Sequence, residues 1–283
     1  MPRRQQATAR QARLGAELRK LREAAGLKGR DAAALLGTDS AQVSQIEVGL
    51  AGVSEARVRR IAAHYACTNP ELIDALAAMT ADRTRGWWEE YRGRLPTSFL
   101  DLSELEYYAY YRWDVEFLHV PGLLQTEDCA RALFSSRVPE LPADELKLRV
   151  LHRMQRRVIL EREPAVLYQA VVHEAALRMM VGSRAASRAQ LARILELSEA
   201  DHITVRVIPF NLEHFADLGS AMVYAGGAVP KLDTVIRDGP HGTVFIDSEA
   251  QLEVFRTHFR RVETVSLDPD RSRDLIHRLA KEL

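Results

Sequence analysis

Residues 27–50 read LKGRDAAALLGTDSAQVSQIEVGL, and the punctuation of that string leaves the backbone few choices. A short helical run, residues 30–36 (RDAAALL), is closed by Gly37. Asp39 or Ser40 then offers an oxygen to cap a second run, residues 41–48 (AQVSQIEV), which Gly49 stops. A glycine just past one helix and a short oxygen-bearing side chain just before the next are the local signals that place helix ends. The flanks repeat the pattern. Residues 14–25 set Leu14, Leu18, Leu21 and Ala25 at helical spacing ahead of Gly26. Ser54 and Glu55 open EARVRRIAAHYA, with Val58, Ile61, Ala62 and Tyr65 on one face. Asn69-Pro70 starts a fifth helix along Leu72, Ile73, Leu76, Ala77 and Met79.

Charge marks out the same region. The chain of 283 residues balances 39 Lys and Arg against 39 Asp and Glu. Residues 1–66, however, hold twelve basic and six acidic residues, a net +6 that leaves −6 for the remainder. A basic head on an acidic body fits a nucleic-acid-binding module beside one that faces a protein or a ligand. Helix, three-residue turn, helix is the helix-turn-helix unit, which needs small or apolar residues where its helices cross. Ala33 and Gly37 supply them, and Val43 and Ile46 point inward from the second helix. That helix turns Ser40, Ala41, Gln42, Ser44 and Gln45 outward, short or amide side chains suited to base edges. Gln42 and Gln45 are the best candidates for a bidentate pair with adenine. Lys28, Arg30, Arg57 and Arg59 are placed to meet phosphates.

On the stretches LGAELRKLREAAGLKGRDAAALLG and VSQIEVGLAGVSEARVRRIA, residues 14–66 resemble the XRE (Cro/CI-like) helix-turn-helix family. The resemblance implies a sequence-specific transcriptional regulator. Two positions depart from the family pattern: Gly29 stands where a DNA-contacting Gln is usual, and Val48 where Asn is favoured.

Residues 82–100 (DRTRGWWEEYRGRLPTSFL) read as an exposed helix broken at Pro96, with a domain boundary at its start. This gives a head of residues 1–80 with its core at 14–66, and a body of residues 84–283. In the body, residues 103–117, 126–136 and 143–162 read as helices. From Pro164 onward strands enter. AVLYQAVV is a near-continuous apolar run that predicts a strand covered on both faces. ITVRVIPF alternates Ile203, Val205 and Val207 with Thr204 and Arg206, a strand with one buried face. SAMVYA, LDTVIR and TVFID are further strands, and two amphipathic helices, 248–263 and 270–282, close the chain. The fold class expected is a mainly α helix-turn-helix bundle followed by an α+β domain, with its strands grouped late.

Trp87, Trp88, Tyr107, Tyr108, Tyr110, Tyr111 and Trp113 concentrate aromatics near the domain boundary. On a helix they surround more than one face, which suits a partner or dimer interface. Core packing and a ring-lined pocket are the other uses open to them.

Catalytic constellations do not emerge. His173-Glu174, His214, Asp247 and Glu249 are dispersed, and no HExxH or CxxC spacing is present, so no metal site is expected. The glycines at 226–227 and the run DGPHG at 238–242 read as turns rather than phosphate loops. Ser220 lies in GSAM, outside a nucleophile elbow. Two cysteines, Cys67 and Cys129, fit a reducing cytoplasm, and packing is the expected role of Cys129. Uncharged stretches such as VPGLLQT fall far short of a membrane helix. The expectation is a cytoplasmic, nucleoid-associated protein that is not an enzyme and needs no cofactor.

The body carries a second resemblance. VPGLLQTEDCARALF, VVHEAALRMMVG, RAQLARILELSE, ITVRVIPF and FADLGSAMVY are similar to actinobacterial regulators that join this head to a DUF5753 domain, the WhiJ-like and Scr1-like proteins. The resemblance implies a small DUF397-type protein, encoded nearby, as partner, in an antitoxin-like arrangement. Two-fold operators add the expectation of a homodimer. A regulator gated by a small molecule is the alternative.

Overall fold

The computed structural model describes residues 7–81, 86–212, 219–239 and 242–283. The chain forms two compact units: Met1–Glu90 with Phe99–Leu105, and Tyr91–Ser98 with Glu106–Leu283.

The first unit is helical: α1 (Ala9–Ala24), α2 (Gly29–Leu36), α3 (Ser40–Glu47), α4 (Glu55–His64), α5 (Pro70–Ala81) and most of α6 (Thr97–Tyr108). Helices as short as α2 and α3 are unstable alone, because nucleation outweighs so few propagated turns. They persist through packing: Ala32, Ala33, Val43 and Ile46 are buried, as are Leu14 and Leu18 of α1 and Val58 and Ile61 of α4, helices that α2 or α3 contacts. Helix α1 begins five residues ahead of its apolar periodicity. Thr8 Oγ1 accepts the Gln11 N–H at 3.2 Å while Gln11 Oε1 accepts the Thr8 N–H at 3.1 Å, a complete capping box. Asp39 caps α3, Ser54 caps α4, and Asn69 Oδ1 accepts the Leu72 N–H at 3.0 Å.

The second unit contains β1 (Tyr111–Glu116), α7 (Glu127–Ser135), α8 (Ala143–Gln155), α9 (Val158–Glu161), β2 (Leu167–His173), α10 (Glu174–Arg178) and α11 (Arg184–Leu197). It continues with β3 (Ile203–Ile208), β4 (Met222–Gly226), β5 (Thr234–Gly239), β6 (Gly242–Ile246), α12 (Glu249–Val265) and α13 (Pro269–Glu282). The six strands form one sheet in the order β3-β2-β1-β4-β5-β6. The pairs β1·β2 and β2·β3 are parallel, and the pairs from β1 through β4 and β5 to β6 are antiparallel. One face packs Tyr168, Ala170, Val172, Val205 and Val207 with Leu191 and Ile194 of α11 and Ile276 of α13. The other face packs Val115, Val171, Tyr224 and Val235 under Leu252, Phe259 and Val262 of α12. Strand β2 is therefore covered on both sides, and β3 buries Ile203, Val205 and Val207 on one face, as their patterns predict.

Three readings of the sequence need correction. Residues 103–117 are not one helix: α6 stops at Tyr108, and 111–116 is β1, an interior strand between β2 and β4. Strands therefore begin before the α7–α9 segment instead of clustering late. The segment YRWDVE does alternate apolar with charged residues, the period of a strand, but the run of aromatics from Tyr107 to Trp113 reads as a helix; its charged face, Arg112 and Asp114, is buried. Residues 86–100 are not an exposed helix, since Trp88, Tyr91, Leu95 and Leu100 are buried and only a single 3-10 turn spans Trp87–Tyr91; residues 82–85 lie outside the described residues. The helix expected over 143–162 breaks into α8 and α9 at Arg156 and Arg157. His214, Pro240 and His241, weighed above for metal and phosphate chemistry, also lie outside the described residues.

Candidate nucleic-acid interface

Helix α3 is held from behind. Gly37 takes a left-handed conformation, φ 62°, which glycine adopts without cost, and so turns the chain from α2 into α3. Asp39 Oδ1 then accepts the Gln42 N–H at 2.7 Å. Val43 and Ile46 face inward and are buried.

The far end of α3 lies against α1 with no spare room. A Cβ added to Gly15 would sit 2.5 Å from the Ile46 carbonyl oxygen, and one added to Gly49 would sit 2.7 Å from the Ala12 nitrogen. Across the same junction Arg22 grips Glu47 in a fork, Nε to Oε1 at 2.6 Å and Nη2 to Oε2 at 3.0 Å, while its Nη1 donates to the Leu27 carbonyl at 2.7 Å. Both side chains are largely buried. A bidentate pair fixes orientation as well as distance. It thereby sets the direction of α3, and the bond to Glu47 holds the Arg22 guanidinium above its usual range. Sequence reasoning missed Arg22 and Glu47 because 25 residues separate them. It also passed over Gly15, whose tell is a glycine inside a helical run.

On the free side of α3, Ser40, Ala41, Ser44 and Gln45 are exposed and Gln42 is half-buried. The side chains of Ser40, Gln42, Ser44 and Gln45 make no hydrogen bond to any described residue. Lys28 is the residue that caps the start of α2, and Arg30 lies in its first turn. Lys28 is exposed, and Arg30 is 79% exposed with only a 3.5 Å approach to Asp31. Arg57 is half-buried on α4, and its guanidinium meets no acceptor among the described residues. Arg59 differs from these. Its Nη1 donates to Asp74 at 2.6 Å and its Nη2 to Glu55 at 2.9 Å, so its charge is compensated within the unit. The two departures from the usual pattern are both accessible. A Cβ at Gly29 would meet nothing within 4 Å, and Val48 is exposed at the end of α3.

The aromatic residues divide. Trp88 is buried and meets Trp87 edge-on at 5.9 Å. Tyr107 and Tyr108 also pair edge-on, and the Arg162 guanidinium lies over the Tyr107 ring. Tyr111 and Trp113 stand on the α12 side of β1. The Tyr111 hydroxyl donates to Asp233 Oδ2 at 2.7 Å, and Trp113 stacks on Phe259 with centroids 4.6 Å apart. Tyr110 is 63% exposed. The rings of Tyr111 and Trp113 are thus used inside the sheet packing, and Tyr110 is the member of the β1 segment that reaches solvent.

The opposite side of β1 holds the second unit's main electrostatic feature. Arg156 forks onto Glu106, Nε to Oε2 at 2.8 Å and Nη2 to Oε1 at 2.5 Å. Arg112 contacts the same Glu106 and also forks onto Asp114 at 2.8 and 2.9 Å, where the Tyr168 hydroxyl donates as well, at 2.7 Å. Burial pushes the Arg156 guanidinium down to about 10 and His152, beside two arginines, down to about 3. Burial, with Asp114 nearby, raises the Glu116 carboxyl to about 8. No sequence motif signalled this network.

Two family models match the chain. A helix-turn-helix domain matches residues 13–76, and a domain of unknown function, DUF5753, matches residues 99–278. No curated protein and no solved structure matches it.

Proposed function

The chain belongs to the DUF5753 family and carries a helix-turn-helix domain at its head, and from that premise we propose that it is a sequence-specific transcriptional regulator of the repressor or antitoxin-like kind. The single observation that carries this reading is the free face of α3: polar side chains without partners, on a helix whose direction is fixed by the Arg22–Glu47 fork. In this reading Gln42 and Gln45 read base edges, with Ser40, Ala41 and Ser44 close to the groove floor. Lys28, Arg30 and Arg57 neutralise phosphates and set the register. Two copies act on a two-fold operator. The second unit performs no catalytic step. It docks a small DUF397-type protein, and docking changes operator occupancy through unequal affinity for the free and DNA-bound states.

Calorimetry of the whole chain with the neighbouring small gene product, followed by operator binding with and without it, tests the coupling. Saturable heat and a changed operator affinity are expected. Absence of heat at tens of micromolar would reject the protein partner. Heat without a change in DNA affinity would reject the coupling. A second reading, in which a small molecule is the signal, draws support from a cavity in the second unit.

A further inference from the structure

Between α9, α11 and the start of β3 the second unit encloses a half-open cavity of about 170 Å³. Its floor is hydrocarbon, from Leu123, Leu160 and Ile203, all buried. Two guanidiniums stand in its wall, Arg157 and Arg193. Each is under-used. Arg157 Nη2 donates to the Gln125 carbonyl, and Arg193 Nη1 pairs with Glu196 at 2.8 Å. The Nε of each is shut off from solvent, so anything in the cavity meets the terminal nitrogens instead.

The two cations also disfavour each other. Burial holds the Arg157 guanidinium below its usual range, and among the neighbouring charges Arg193 weighs most. An anion with a hydrocarbon body suits both halves: its oxygens meet the terminal guanidinium nitrogens and its body covers the leucines. Size and charge narrow the class further. At about 30 Å³ per water the space equals roughly six waters, below the about 300 Å³ at which drug-sized pockets begin. Glu161 and Glu196 are exposed lining residues, so a second negative charge on the ligand would meet like charge.

We propose that this cavity binds a small monoanionic carboxylate with a short apolar body, held by Arg157 and Arg193. The site gives the small-molecule reading above a location and a ligand class. Binding itself stands apart from whether it gates DNA.

The experiment is a calorimetric titration of the full chain with isovalerate, with inorganic phosphate as the charged but non-apolar control. One saturating site for isovalerate and none for phosphate is expected. Arg193→Gln, which removes one cation whose other bond is to an exposed side chain, should weaken isovalerate about tenfold or more. Ala200→Leu, at a half-buried lining position, should fill the space and abolish binding with little change in melting temperature. Silence at about 10 mM isovalerate, where even a Kd of 1 mM would saturate, overturns the proposal. Phosphate binding as well as isovalerate overturns the ligand class, and binding indifferent to both variants places the ligand elsewhere and overturns the site. Operator binding measured with saturating isovalerate then reports on gating alone. Unchanged DNA affinity there removes the small-molecule gate while the titration still supports the site.

Discussion

The two units of this chain use arginine in opposite ways. In the first, Arg30 is 79% exposed with one loose neighbour. In the second, Arg112 is 1% exposed and shared between Glu106 and Asp114. The same side chain thus serves as an outward reach in one place and as internal scaffolding in the other. Counting charges along the sequence sees +6 against −6 and cannot tell these uses apart. What separates them is whether a carboxylate has been placed within reach and away from water. Even inside the first unit the distinction holds, since Arg22 is consumed by Glu47 and Arg59 by Glu55 and Asp74, whereas Lys28, Arg30 and Arg57 stay available.

The largest effect should come from breaking the buried side of this contrast. Glu106→Ala leaves Arg112 and Arg156 facing each other without their shared carboxylate, and the loss of one partner from a buried ionic network costs about 3–5 kcal/mol. Urea unfolding should show that loss, while Arg30→Ala in the head should move stability by less than about 0.5 kcal/mol. Equal, small effects for both would erase the distinction between the units.

Next in size is the reading face. Gln42→Ala and Gln45→Ala should each cost about 1–3 kcal/mol on the cognate operator and little on random DNA. Arg30→Ala should weaken both DNAs alike. Fluorescence anisotropy on the two DNAs separates these outcomes.

A smaller effect follows from the second unit's acid. Glu116 has its folded pKa raised to about 8 by burial, so its contribution is present at low pH and is lost as pH rises toward that value. His152 works in the opposite direction. Its folded pKa is depressed to about 3, so its contribution is present above the ordinary histidine value of 6.5 and fades as pH falls. Above pH of about 6.5 Glu116 is the one of this pair whose contribution still changes, and through it stability should fall toward pH 8 by at most about 1.4 kcal/mol per pH unit. Glu116→Gln should flatten that decline in chemical unfolding measured across the range.

The head was legible because its signals are local. Gly37, Asp39, Gly49, Ser54 and Asn69 each announce a helix end within a few residues of sequence, and the structure places the ends within two residues of them. The outward residues of α3 follow from the same periodicity. The forces that aim α3 were not legible, since the Arg22–Glu47 fork and the close approach at Gly15 depend on which helices meet. In the body, β2 and β3 were readable from apolar runs. Strand β1 was overlooked although YRWDVE alternates, because the aromatics that precede and enter it read as a helix stripe; what alternation could not show is that its charged face is buried. The cavity residues Arg157, in the break between α8 and α9, and Arg193, on α11, share no motif at all.

The claim that open cations in the first unit meet DNA phosphates is tested most directly by the salt dependence of operator binding by the full chain. With about 4–6 phosphates neutralised per site, the logarithm of the affinity should fall against the logarithm of salt concentration with a slope of about −4 to −5. Arg30→Ala should make that slope shallower by about one. Arg59→Ala, whose charge is already spent on Glu55 and Asp74, should leave it in place. A slope near zero for the unaltered chain would contradict the account.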